Sequence, residues 1–197
     1  TCYQELNNKK NSLKQLIIQS HLQILNRKEI AKAFITQLKN FRKGFKRDPD
    51  FIDGHEHVHI FPVIRGIVVR KHLKYLNGTK PYIRVPLAQA SSEIKSKIIG
   101  LLGANQLMNK LKANNIPYNR SFSGIYSLRI KGDYREYFRK FLNEIADQGI
   151  IMCHPGLKLV TSSSSTAKLE ESQDAIKDTR YKELQYFLSD DFLQDLE

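Results

Sequence analysis

Phe51-Ile-Asp-Gly-His-Glu-His-Val-His-Ile-Phe-Pro62 is the stretch from which the rest of this chain is read. Three of the six histidines, His55, His57 and His59, fall in this short run, with Asp53 just ahead of them. An apolar pair, Phe51 and Ile52, leads into a glycine, a run of potential metal ligands, and a proline suited to opening a helix. That order predicts a buried strand ending in a polar site. In an extended segment, side chains at i, i+2 and i+4 share a face, which would point Asp53, His55, His57 and His59 one way. Neutral imidazole and carboxylate are ordinary ligands for a divalent metal. The competing reading is a surface loop that happens to be rich in histidine, but loops seldom place ligands directly between a strand signal and a helix start.

On the amino-terminal side, residues 12–45 are helical in pattern, with Leu13, Leu16, Ile17, Ile24 and Leu25 at three-to-four spacing. His21 lies beside that stripe and is read as a packed or half-exposed residue rather than a ligand. A second helix is predicted from Asn26, with Glu29 completing a capping box, and Gly44 as its stop. No strand is expected before Phe51.

On the carboxyl-terminal side, Pro62 opens a helix closed by Asn77-Gly78. A short strand, Tyr82-Ile-Arg-Val85, follows between two prolines; Arg84 there requires a partner or an anionic ligand. Ser91 or Ser92 caps a long helix through Leu111, and strand-like residues return at Phe122–Tyr126. Asp133 with Glu136 caps a helix whose Tyr134, Tyr137, Phe138, Phe141, Leu142 and Ile145 are read as a core stripe, with Gly149 at its end. Ile150–Cys153 is a buried strand stopping at His154-Pro-Gly156. Residues 161–166 are expected to form a loop, and a last helix spans about Gln173 to Leu188, with Glu183 among its charged members. Four strand–helix units in series imply an α/β fold with a parallel sheet. Ligands of such folds collect at the carboxyl ends of the strands, where His55, Arg84 and His154 lie on three different strands. A closed α/β barrel takes about 250 residues and eight strands, so four units make an incomplete one.

The 197 residues suffice for one domain with a substantial core. No apolar run approaches the roughly 20 residues that span a bilayer, and no signal peptide is visible. Cys2 and Cys153 cannot build a disulfide framework, which suits a reducing compartment and predicts a cytoplasmic protein. The chain starts at Thr1 and its two methionines are Met108 and Met152, so Thr1 is read as other than an unprocessed translation start. The net charge of +12 divides as +7 over residues 1–50, +10 over 51–132 and −5 over 133–197. The basic residues form no dense cluster and the aromatic residues keep core-like spacings, which argues against a nucleic-acid partner.

With His55–Pro62 and His154–Gly156 both placed, the chain resembles the YdjC-like carbohydrate deacetylases. The matching stretches are Asp50–Pro62, Tyr82–Pro86, Phe122–Tyr126, Ile151–Gly156 and Arg180–Asp190, within a similarity running from about Glu29 to Asp195. The resemblance implies a distorted (β/α) barrel of the glycoside hydrolase/deacetylase type. It further implies removal of acetyl groups from N-acetylated mono- or oligosaccharides with a divalent metal, Mg2+ or Zn2+. Carried over by position, His55 is a metal ligand, and Asp53, His57 and His59 shape the same pocket. His154 serves as proton donor or orienting group, and Arg84 supports the site's carboxylates. The family's early Ala-Asp-Asp-Phe-Gly motif, which supplies a ligand and the catalytic carboxylate, has no counterpart; Asp190-Asp191-Phe192 lies at the far end. Residues 1–197 are therefore expected to be a single deacetylase domain, the carboxyl-terminal two thirds of the family's, with impaired activity. A homodimer is compatible with this reading. Two rival expectations are a non-catalytic split-gene half that completes its barrel with a partner chain, and a basic nucleic-acid-binding module using the +17 of residues 1–132.

Overall fold

A computed structural model describes residues 12–87, 94–128, 130, 132–157 and 176–197. The chain divides into two compact units, one built from Thr1–Leu87 and Ser96–Arg120, the other from Ala88–Lys95 and Ser121–Glu197.

In the first unit, α1 spans Leu13–His21 and α2 spans Arg27–Phe45. Ser12 and Gln15 form a reciprocal capping box at the start of α1. Asn26 caps α2 as expected, its side chain accepting from the backbone of Lys28 and Glu29. The end of α2 differs from the expectation: the helix runs past Gly44, and Lys46 adopts the left-handed conformation that closes it. Strand β1 (Phe51–Ile52) pairs in parallel with β2 (Tyr82–Ile83), and α3 (Pro62–Tyr75) is the crossover between them. Phe51 is exposed rather than buried, and stacks on Tyr82 at 5.5 Å.

Helix α3 is apolar on more than one side, with Val63, Ile64, Ile67, Val68 and Val69 all buried, as befits a helix inside a core rather than on its surface. Its buried Arg65 donates from Nη1 to the Ile60 carbonyl at 2.6 Å and the Gly103 carbonyl at 3.2 Å. The long helix predicted through Leu111 is interrupted. After α4 (Ile94–Ile99) comes a π-helical turn at Gly100–Ala104, then α5 (Asn105–Ala113). Gly103, at φ 138°, permits this; a Cβ there would lie 2.2 Å from the Ile60 carbonyl oxygen. The predicted caps Ser91 and Ser92 lie outside the described residues. A further extended residue, Tyr118, bridges Ile83 in parallel, and Asn119 uses its amide to hold both the N–H and the carbonyl of Val85.

The second unit repeats the plan. Strand β3 (Phe122–Ser123) pairs in parallel with β4 (Ile150–Ile151), joined through α6 (Tyr134–Glu144). Asp133 caps α6, which ends before Gly149. The predicted aromatic stripe is the core: Tyr134, Phe138 and Phe141 are buried with Tyr126 and Tyr186. Helix α7 spans Lys177–Phe187, and an unpredicted α8 spans Asp190–Leu196. The loop expected at residues 161–166 and the predicted start of the last helix at Gln173 lie outside the described residues. The fold is thus mostly helical α/β, and its strands pair in parallel as two separate two-stranded sheets among the described residues.

Candidate functional site

The strand reading of Asp53–His59 needs correction. β1 ends at Ile52, and His55–Ile60 coils into a 3-10 turn with Glu56 and His57 both left-handed, at φ 50° and 61°. The i, i+2, i+4 argument therefore fails, and the three histidines meet different surroundings: His55 is exposed, His57 half-buried and His59 buried. Two-residue strands explain this, because a strand that short does not carry its alternation beyond its own hydrogen bonds. Gly54 makes the turn possible by close approach; a Cβ on it would stand 2.6 Å from His59 Nδ1 and 2.9 Å from the His59 amide nitrogen.

What the turn assembles is centred on Arg84, the residue just beyond β2. Its buried guanidinium ion-pairs with the Asp53 carboxylate and donates from Nη2 to His57 Nδ1 at 3.0 Å. Arginine can only donate, so His57 accepts at Nδ1 and, when neutral, carries its proton on Nε2. His59 donates from Nε2 to the Arg84 carbonyl at 2.7 Å, and its Nδ1 lies 3.9 Å from Asp53. Burial first, and the Arg84 charge second, push the His59 imidazole down to about 4, which keeps it neutral. The partner that Arg84 required on sequence grounds is thus Asp53.

A divalent ion requires several converging neutral or anionic donors. Among the described residues no group of three or more His, Cys, Asp and Glu side chains is placed to hold one. Of the four candidates, Asp53 and His57 are bound to the Arg84 guanidinium and His59 is bound to its backbone. His55 is the one that presents an exposed imidazole. The donor set described in this chain does not by itself fit a complete metal site. A groove of about 240 Å³ lies beside β1, and Phe34, Leu38, Phe41, Phe51 and Asp53 are among its lining residues.

The second unit carries its own polar cluster at the carboxyl ends of β3 and β4. Glu183, wholly buried on α7, accepts from the Tyr126 hydroxyl on one carboxylate oxygen and from the His154 backbone N–H on the other. His154 Nδ1 lies 3.9 Å from Glu183 Oε1. Arg180 Nη1 reaches the His154 carbonyl at 3.5 Å, and the Gly156 N–H donates to the Arg180 carbonyl at 3.1 Å, so α7 braces the His-Pro-Gly turn at several points. Burial, then the bond to Glu183, raises the Tyr126 hydroxyl far above its ordinary value, so that it remains a donor. Cys153 is half-buried beside the Tyr134 hydroxyl at 3.7 Å, and burial pushes its thiol up to about 11. It is a packing residue, and it lies beyond β4, which ends at Ile151.

Glu183 and Tyr126 were not among the predicted site residues. A signal for Glu183 does exist: Thr179, Glu183 and Tyr186 are spaced four and three apart and are the buried face of α7, so this carboxylate stands in an apolar stripe.

Two strand–helix–strand modules, each with a polar cluster at the carboxyl ends of its parallel strands, define an α/β protein of the kind that binds ligands at strand ends. Residues 4–197 match the family described as YdjC-like protein, and the chain belongs to that family. Among solved structures it is similar to a protein of Enterococcus faecalis V583 assigned provisionally to cellobiose-phosphate cleavage, at 19% identity and a TM-score of 0.56. That match covers 87% of this chain and 57% of the other, so the chain spans little more than half the length of the structure it matches. The likeness at this identity is one of fold. No curated protein matches the chain.

Proposed function

We propose that this chain is a carbohydrate-processing hydrolase domain that removes acetyl groups from N-acetylated mono- or oligosaccharides. Membership of the YdjC-like family supports the substrate class. The observation that carries the chemistry is the His154 imidazole, 23% exposed, on a turn held from behind by the buried Glu183 carboxylate. Amide hydrolysis needs a proton delivered to the departing nitrogen, because an amine anion is a poor leaving group, and a positioned histidine is the usual donor. His154 fills that role through Nε2. Arg84 fixes Asp53 and His57.

In this reading residues 1–197 belong to one domain of distorted (β/α)-barrel type, working in the cytoplasm, alone or as a homodimer. The family resemblance implies Mg2+ or Zn2+, toward which this chain offers His55. With one such donor among the described residues, the chain's own turnover is slow.

The test is acetate release from N-acetylglucosamine oligomers by the purified 197-residue chain, with Mg2+ or Zn2+ supplied. Slow release that falls about 10²–10⁴-fold in His154→Ala is expected. Release that is absent, or that persists undiminished in the variant, would sink the assignment.

A further inference from the structure

We infer that His154 and Glu183 act as one acid–base unit, with the imidazole proton held on Nδ1 facing the carboxylate and Nε2 performing both proton transfers of the hydrolysis. The catalytic half of this rests on the deacetylase reading above; the proton's location does not.

The geometry supplies the reasons. Glu183 is fixed at both oxygens, by the Tyr126 hydroxyl beyond β3 and the His154 N–H beyond β4, so the carboxylate cannot swing away from the turn that carries the ring. His154 Nδ1 is buried and, among the described residues, has no hydrogen-bond partner; the nearest acidic oxygen is Glu183 Oε1 at 3.9 Å. A neutral imidazole places its single proton on either nitrogen, and its surroundings choose. Beside an anionic oxygen in a low-dielectric interior, a proton on Nδ1 is attracted and a lone pair there is repelled. Because Nδ1 is buried, the exposure of the ring lies on its other atoms, and a proton on Nδ1 leaves Nε2 with an unshared pair.

A ring in that state begins the reaction as a base. Nε2 takes a proton from water while the water oxygen bonds to the acetyl carbon and the carbonyl pair moves onto oxygen. The ring is then an imidazolium, protonated on both nitrogens, with Glu183 opposite its positive charge. Nε2 returns that proton to the amide nitrogen as the C–N bond breaks, yielding acetic acid and a free amine and restoring neutral His154. Water and the amide are the only reactants. Glu183 touches no substrate and is a positioning residue.

The test uses the full chain with 15N-labelled histidine rings, the His154 signals being identified by their loss in His154→Asn. Native protein with a neutral ring is expected to show the His154 proton on Nδ1. In Glu183→Gln the amide oxygen accepts the His154 N–H, the Tyr126 hydroxyl turns to accept, and the amide NH2 faces Nδ1; the proton is expected to move to Nε2. Tyr126→Phe keeps the carboxylate and is expected to keep the native tautomer. In acetate release, kcat of Glu183→Gln falls about 10²–10⁴-fold with KM changed less than about threefold. A proton on Nε2 in native protein, or on Nδ1 in both native and Glu183→Gln proteins, overturns the dyad. The native measurement decides even if Glu183→Gln does not fold. A proton on Nδ1 in a chain that releases no acetate upholds the pairing and sinks the deacetylase reading instead.

Discussion

His59 is the residue at which burial and a neighbouring cation act in the same direction. Its folded value of about 4 lies below the ordinary 6.5, so between these the unfolded chain binds the extra proton. The stability this contributes is complete above about pH 6.5 and is lost as pH falls toward 4. His72, buried and donating to the Pro81 carbonyl at 2.8 Å, is lowered by burial and adds in the same sense. Urea unfolding midpoints are therefore expected to fall from pH 7 to pH 5, and to fall less steeply in His59→Gln. An equal slope in the variant would assign the pH dependence elsewhere. At this scale the need of Arg84 for a partner was legible, because a cation on a short β-branched strand cannot stay unpaired. Which carboxylate met it was not, because the turn at Gly54–His57 decides that.

At the scale of elements, α8 is the informative case. Its seven residues are too few for a period to be read, and it exists by docking. Phe192 meets Phe138, Tyr186 and Phe187 at ring distances of 5.1–5.7 Å. Asp195 accepts from Arg135 Nε and Nη2 and from the Tyr186 hydroxyl, all at 2.9 Å. Phe192→Ala is expected to cost about 1–3 kcal/mol, less than for a fully buried ring, measured by urea unfolding followed through near-ultraviolet circular dichroism. A loss below about 0.5 kcal/mol, the range of ordinary surface substitutions, would show that α8 is not held by this cluster. The aromatic stripe of α6 was readable in advance because three-to-four spacing holds through all of its turns. The break in the helix at Gly100–Ala104 was not, since the π-turn answers to the approach of Ile60 and Arg65 from elsewhere in the first unit.

For the whole molecule, charge and pairing direction are the relevant quantities. The +17 of residues 1–132 is spread along the sequence, and several of its cations are committed: Arg42 to Asp48, Arg47 to Asp50, Arg84 to Asp53, Arg65 to carbonyls. Duplex DNA is expected to bind only in the non-specific range, about 10⁻⁴–10⁻⁶ M at physiological salt; nanomolar binding there would favour the nucleic-acid reading instead. No helix of the described residues is long and apolar enough to cross a membrane. The sequence by itself determined the order of the four strands, their parallel pairing, the aromatic core of the second unit and the family, because periodicity, caps and ordered motifs are local properties of the chain. Only the tertiary structure decided that Asp53, His57 and His59 gather around Arg84 while His55 stays exposed, and that Glu183 stands behind His154. Each of those contacts joins residues more than two dozen positions apart, or depends on a left-handed turn that no hydrophobic pattern encodes.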